Sequence, residues 1–266
     1  MDLLLRGLAA RRELARTVVV ESRCESTHNI LRERLEKTPA LQLNGLLVTA
    51  EEQIAGKGRR RPDWWSGPAG SNLAVSLMMS PPVKPLESLG LHAACAMADA
   101  MAPILDPTSS LSLKWPNDIL LNGAKVAGIL VETSEKKGES YALLGVGVNV
   151  LKAPPAEIVP YSTTCLAAHS SQAQLRTRLL GAWLWALEKR LLFARQNGTS
   201  QLEKDYLPLL RKWAPHGVLD PATETAGPLV EFSVQRGLTW GYEGSRMTRP
   251  LGWISTLEPL PAPTSS

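Results

Sequence analysis

Residues 111–132 read LSLKWPNDILLNGAKVAGILVE, and the punctuation of this stretch decides the fold class. Leu111 to Trp115 is strand-like. Pro116 has no N–H to give a ladder, and Asn117 and Asp118 suit a turn. Ile119 to Leu121 resumes as a strand, and Asn122-Gly123 is the dipeptide of a type I′ hairpin, whose two central positions both need positive φ. The chain therefore returns through Lys125 to Glu132. Lys136 to Gly138 makes a second turn, into a strand over Tyr141 to Val150. Adjacent hairpins predict a mixed, largely antiparallel sheet packed with helices, hence an α+β protein rather than a doubly wound one.

The flanking sequence fits that frame. Upstream, Thr17 to Ser22 is a β-branched strand, and Ser26 or Thr27 can cap a helix whose apolar side includes Ile30, Leu31 and Leu35. Leu46 to Thr49 reads as a strand that runs into a long loop, Gln53 to Ser71. A loop of that length inside a compact domain is functional or disordered. Asn72 to Met79 resumes as a strand, and the Ala-rich stretch Leu89 to Met101 suits a helix packed closely on a sheet. Downstream, Leu175, Leu179, Trp183, Leu187 and Leu191 recur at helical spacing and predict a helix over residues 172–196, its tryptophans in the core. Ser200-Gln-Leu-Glu203 reads as a capping box opening a last helix that ends near Trp213. Beyond Pro215 the texture changes to Gly, Pro and short β-like runs, Val230 to Val234 and Gly252 to Leu257. This divides the chain into a main domain, residues 1–213, and a small β-rich one, residues 214–266.

Composition narrows the function classes. A chain of 266 residues, 44% apolar, can fill a globular core, and its formal charge of +4 is too small for a nucleic-acid coat. Cys24, Cys95 and Cys165 are far apart and odd in number, so they read as reduced thiols, not as a disulfide or zinc framework. The longest apolar runs, Leu46 to Ala50 and Leu73 to Met79, fit buried strands and are too short to span a bilayer, so a soluble protein is expected. The N-terminus carries Arg6, Arg11, Arg12 and Arg16 on an amphipathic pattern, the composition of a transit peptide. Asp2 and Glu13 weigh against that, and a surface helix on a cytoplasmic protein is the favoured reading over a mitochondrial address.

Three segments carry chemistry. The loop holds Lys57, Arg59, Arg60 and Arg61 beside Gly56 and Gly58, so its backbone can approach an anion while the cations neutralise it. No Gly-Lys-Ser or Gly-Lys-Thr ends it, so it is not a Walker A loop, and a solvated charge run fits equally. The turn after Lys114-Trp-Pro-Asn-Asp118 and the Asn-Gly hairpin can return Lys125 towards Asp118, either into a shared pocket or as an ordinary surface ion pair. Gly145-Val-Gly-Val-Asn149 places two glycines in a β-branched strand, a mark of close approach. It lacks the third glycine and following helix of a dinucleotide fingerprint.

Taken together and in order, these segments resemble the catalytic domain of the biotin protein ligases. The likeness runs from about Val18 to Trp213 and rests on Glu25-Ser-Thr27, Gly-Lys-Gly-Arg-Arg60 with Trp64 and Ser66, Lys114-Trp-Pro-Asn-Asp-Ile119, Lys125-Val-Ala-Gly-Ile-Leu130 and Gly145-Val-Gly-Val-Asn149. The resemblance implies the biotin/lipoate ligase fold with a small C-terminal β-rich segment. It implies activation of biotin by ATP with Mg²⁺ to biotinyl-5′-AMP, then transfer to a lysine of a biotin carboxyl carrier domain. It implies that Ser26, Thr27 and Gln53 bind the ring end of biotin, with His28 standing where the family usually has Asn. Lys57, Gly58, Arg59, Arg60 and Trp64 would close over biotin and the phosphates. Lys125 would hold the reacting carboxylate and α-phosphate, and Gly128 and Ile129 would line the pocket. Lys114, Asn117, Asp118 and Asn149 would serve the nucleotide and its magnesium, with no metal ligand assigned. Arg61 and Pro62 depart from the family's loop, Gly67 looks inserted, and no site carries over from the C-terminal segment.

The resemblance leaves a homodimer open. Two rivals stand beside it: a lipoate or octanoate ligase, and a non-catalytic biotin sensor or nucleic-acid binder using the basic loop. About 16 residues precede the first strand, too few for a helix-turn-helix, so no DNA partner and no membrane partner is expected.

Overall fold

The computed structural model describes residues 14–59, 64–82 and 84–263. Most of the N-terminal stretch read as a helix, and Arg60, Arg61 and Pro62 of the loop, lie outside them.

The main sheet has the order β1-β2-β3-β7-β6-β5-β4. β1 (Thr17–Cys24) runs parallel to β2 (Leu46–Gln53), joined through helix α1 (Thr27–Lys37). The other neighbours are antiparallel: β3 (Leu73–Met79), β7 (Glu139–Val148), β6 (Ala124–Lys136), β5 (Asp118–Leu121) and β4 (Leu111–Lys114). The sheet is thus mixed and mostly antiparallel, as the hairpins predict. Asn122 and Gly123 both take positive φ, 48° and 80°, which is the type I′ requirement.

The two faces of the sheet bury different partners. On one side, α1 lays Leu31 and Leu35 on Val48, Met78 and Leu143. On the other pack α2 (Ser88–Met101), α3 (Leu175–Asn197) and α4 (Ser200–Trp213). Ala93, Ala94, Ala96, Ala98 and Ala100 keep the surface of α2 thin, so α3 approaches closely enough for the buried Trp183 indole N–H to donate to the Ala93 carbonyl at 3.3 Å. Its neighbour Trp185 is about half exposed and outside the core.

α4 starts differently from the capping-box expectation. Thr199, not Ser200, is the N-cap, and it makes no side-chain cap bond. Glu203 instead accepts the Val234 N–H at 2.8 Å, tying the helix to the C-terminal strands. Those strands form two three-stranded sheets. One has β10 (Leu229–Ser233), β11 (Gly237–Tyr242) and β12 (Ser245–Arg249); the other has β8 (Val218–Asp220), β9 (Thr225–Gly227) and β13 (Glu258–Pro259). Phe232, Leu238, Trp240 and Ile254 join the same continuous core as the main sheet. Among the described residues no helix is long and apolar enough to cross a membrane.

Candidate active site

The site lies on the α1 face of the sheet, at that helix's N-terminal end. Ser26 is the N-cap, in extended conformation, and its hydroxyl accepts the His28 N–H at 3.3 Å. The cap turns Thr27 and His28 down onto the sheet. There the Thr27 N–H and hydroxyl both meet Gln53 Oε1, at 2.8 and 3.0 Å, and the hydroxyl also meets Ser76 Oγ at 2.7 Å. His28 Nδ1 lies 2.6 Å from the same Ser76 oxygen. Burial first, then the nearby Arg32 and Lys57 cations, push the His28 imidazole down to about 4, against Glu132 and the Leu143 carbonyl. His28 is therefore neutral near pH 7.

Small residues make the floor of this chamber. Ala74 and Ser76 of β3 pair with Gly147 and Gly145 of β7, and Gly128 of β6 pairs with Gly147. The His28 ring rests on Gly145: a methyl there would lie 2.4 Å from its Cε1. The Trp64 indole rests on Gly147, where a methyl would lie 2.4 to 2.8 Å from three of its atoms. Neither glycine has an unusual φ, so the space, not the backbone, demands glycine. Trp64 is held there because its backbone N–H donates to the Gly56 carbonyl at 2.8 Å, in an isolated bridge that pinches the base of the loop.

Lys125 stands at the mouth of the chamber. In a regular strand, residues three apart point to opposite faces. A register shift between β5 and β6 inserts one extra residue, so Lys125 and Gly128 share a face and the lysine Nζ comes within 3.6 Å of where a Gly128 Cβ would be. Its Nζ lies 2.7 Å from Asp118 Oδ1, both side chains more than four-fifths buried. The ammonium also faces the rings of Tyr161 at 5.3 Å and Trp64 at 5.9 Å.

Beyond Lys125 opens a second cavity of about 310 Å³, which shares Lys125, Trp64, Asn117, Gly58 and Arg59 with the first. Lys114, Asp118 and Asn149 line it. Asn117 is pinned to β6 by two bonds with Ile129: its Nδ2 donates to the Ile129 carbonyl at 2.7 Å, and its own carbonyl accepts the Ile129 N–H at 2.9 Å. Asn149 donates from Nδ2 to the Thr164 carbonyl at 3.1 Å, while its Oδ1 is buried with no partner. Lys57 and Gly58 are exposed at the chamber's rim. The predicted residues thus converge, apart from Arg60, which lies outside the described residues.

Several contributors had no local signal in the sequence. Ser76 sits in a strand that reads as wholly buried, Tyr161 comes from the loop after β7, and Ser255 and Thr256 reach the second cavity from the C-terminal segment. That segment is held by two motif residues: the Trp115 indole N–H donates to the Ile254 carbonyl at 2.8 Å, and Arg59 Nη1 to the Ser255 carbonyl at 3.3 Å.

Two joined chambers thus share a lysine, one rich in hydrogen-bonding groups and one lined by cations and amides. A model of the biotin/lipoate A/B protein ligase family matches residues 20–149. The biotin–[acetyl-CoA-carboxylase] ligase of Mycobacterium tuberculosis is 36% identical over 168 residues, covering 62% of this chain and 60% of that protein. The ligase of the same name from Paracoccus denitrificans is 42% identical over 135 residues, covering 50% and 55%. The chain thus matches less than two thirds of the length of these curated relatives. A biotin protein ligase from Aquifex aeolicus, solved in complex with biotin and ATP, superimposes with a TM-score of 0.74 at 23% identity over 92% of this chain and 99% of that one, and so shares the fold. The sheet and the ordered segments upon it have one common explanation: residues 20–149 match the biotin/lipoate A/B protein ligase family, and the chain is similar to the biotin ligases just named.

Proposed function

We propose that the protein joins biotin to AMP and then passes the biotinyl group to a lysine of a biotin carboxyl carrier domain. The biotin carboxylate attacks the α-phosphate of ATP, pyrophosphate leaves, and the acceptor amine then attacks the mixed anhydride and releases AMP. The observation that carries this reading is Lys125, set between the two chambers where a carboxylate and a polyphosphate would otherwise repel. No nucleophile of the protein is needed. Lys114 and Asn149 would face the nucleotide, and Tyr161 would border it.

The residues present fit a magnesium ion carried with ATP. The Asp118 carboxylate and the unpartnered Asn149 Oδ1 line the same cavity, and Mg²⁺ binds through one or two such oxygens plus phosphates and water. The ion would supply further cancellation of phosphate charge.

The polar head chamber favours biotin over the lipoate or octanoate alternative. A dithiolane or alkyl tail has nothing to pair with His28 Nε2, which has no partner among the described residues, and a buried polar group left unpaired costs about 1–3 kcal/mol. Pyrophosphate release from ATP and Mg²⁺ should therefore depend on biotin and stay at background with lipoate or octanoate. The reverse preference would transfer the reading to a lipoate-type ligase.

The carrier domain as partner, self-association and a cytoplasmic location belong to the same proposal, as does a small C-terminal domain over residues 214–266. The floor glycines make one sharp expectation. Gly147→Ala should push the Trp64 indole off the sheet and weaken biotin binding about tenfold or more, on the scale of core overpacking. Calorimetric titration reads this; unchanged affinity would mean that Trp64 does not border the bound ligand.

A further inference from the structure

The hydroxyls around His28 determine which of its ring nitrogens carries the proton. The Thr27 backbone N–H donates to Gln53 at 2.8 Å, which identifies that end of the amide as the carbonyl oxygen. An amide oxygen cannot donate, so the Thr27 hydroxyl, 3.0 Å away, must give its one proton to Gln53 Oε1. The 2.7 Å contact between Thr27 and Ser76 then needs a proton from Ser76. With both hydroxyl protons spent, the 2.6 Å contact between Ser76 and His28 can only be donation from His28 Nδ1–H. A neutral ring with its proton on Nδ1 has a bare lone pair on Nε2. That atom is buried and has no partner among the described residues, on a residue 4% exposed that lines the head chamber.

We propose that His28 is a specificity-determining acceptor, whose Nε2 takes an N–H of the ureido ring and so selects ligands that present a donor at that point. The inference rests on the biotin reading and names the group within it. The relay from His28 through Ser76 and Thr27 to Gln53 runs one way, so a ligand offering a carbonyl at Nε2 would set lone pair against lone pair. The ring has little freedom to turn, because Gly145 supports one side of it.

Two measurements test it. In protein labelled with ¹⁵N-histidine, two-bond correlation spectra should show His28 protonated at Nδ1 and bare at Nε2, and biotin should move the Nε2 signal in the hydrogen-bonded direction. A proton found on Nε2, or an Nε2 signal indifferent to biotin, would overturn the proposal. The second measurement compares biotin with its two cyclic carbamate analogues, in each of which one ureido N–H is replaced by oxygen. One analogue should bind about tenfold or more worse than biotin, the effect of losing one buried hydrogen bond, and that ratio should collapse towards one in His28→Leu. A ratio unchanged by His28→Leu would sink the role of His28 while leaving biotin binding intact. No binding of biotin by the unaltered protein would instead sink the parent reading.

Discussion

Lys125→Ala is expected to slow formation of biotinyl-5′-AMP by about 10²-fold or more, the scale of removing one preorganised charge contact from a developing anionic centre. The strand register shift aims Lys125 into the mouth of the head chamber, and Asp118 at 2.7 Å holds it there. An ammonium carries three N–H groups, so the Asp118 contact leaves donors for a carboxylate and an α-phosphate. The loss should appear mainly in turnover. In the proposed reading biotin's ring end would lie against Thr27, Gln53 and Ser76, which bond one another and which the substitution leaves in place. Removing the lysine also leaves a mostly buried carboxylate unpaired, so Lys125→Ala, Asp118→Asn should be measured beside it to remove that burden. Near-normal biotin-dependent pyrophosphate release by Lys125→Ala would exclude the lysine from the chemistry.

What made so much of this site legible is that its parts are short segments with strong local rules. Pro116 ends β4, Asn122-Gly123 turns the chain, and the Asn-Gly hairpin alone implies that Lys125 returns towards Asp118. Ser26 reads as a cap and is one. The parts that escaped depend on cross-strand partners. Ser76 becomes meaningful only when Gly145 stands opposite it and α1 delivers His28 above. His28 taken alone has an ordinary histidine's titration, and only burial by the packed sheet makes it neutral. Glu203 fits a capping box locally, but the Val234 N–H, 31 residues away, takes its carboxylate. The contribution of Ser255 and Thr256 follows from Trp115, a motif residue whose indole reaches the Ile254 carbonyl, a pairing invisible in one dimension.

Arg59→Gly carries the second large expectation. Arg59 borders both chambers and bonds the Ser255 carbonyl, so it links the glycine-rich loop to the C-terminal segment across the opening. A mixed anhydride must be shielded from water and stray amines until the proper acceptor arrives. Without the guanidinium, the loop should open more readily. Biotinyl-5′-AMP should escape about tenfold faster or more, the change expected for one charge-assisted hydrogen bond, and should label bystander lysines. Blotting a mixture of unrelated proteins with a biotin probe reads the effect. If the variant makes adenylate yet biotinylates only the carrier domain, the basic loop serves another task, such as docking the carrier.

The most direct measurement of the central claim is the mass of a biotin carboxyl carrier domain after incubation with the pure protein, biotin, ATP and Mg²⁺. The proposed chemistry predicts one biotinyl group on a single lysine, dependent on both biotin and ATP, with AMP and pyrophosphate formed alongside. A carrier domain of unchanged mass, with biotin bound but no AMP or pyrophosphate released, would contradict it and leave a biotin-binding protein without ligase activity.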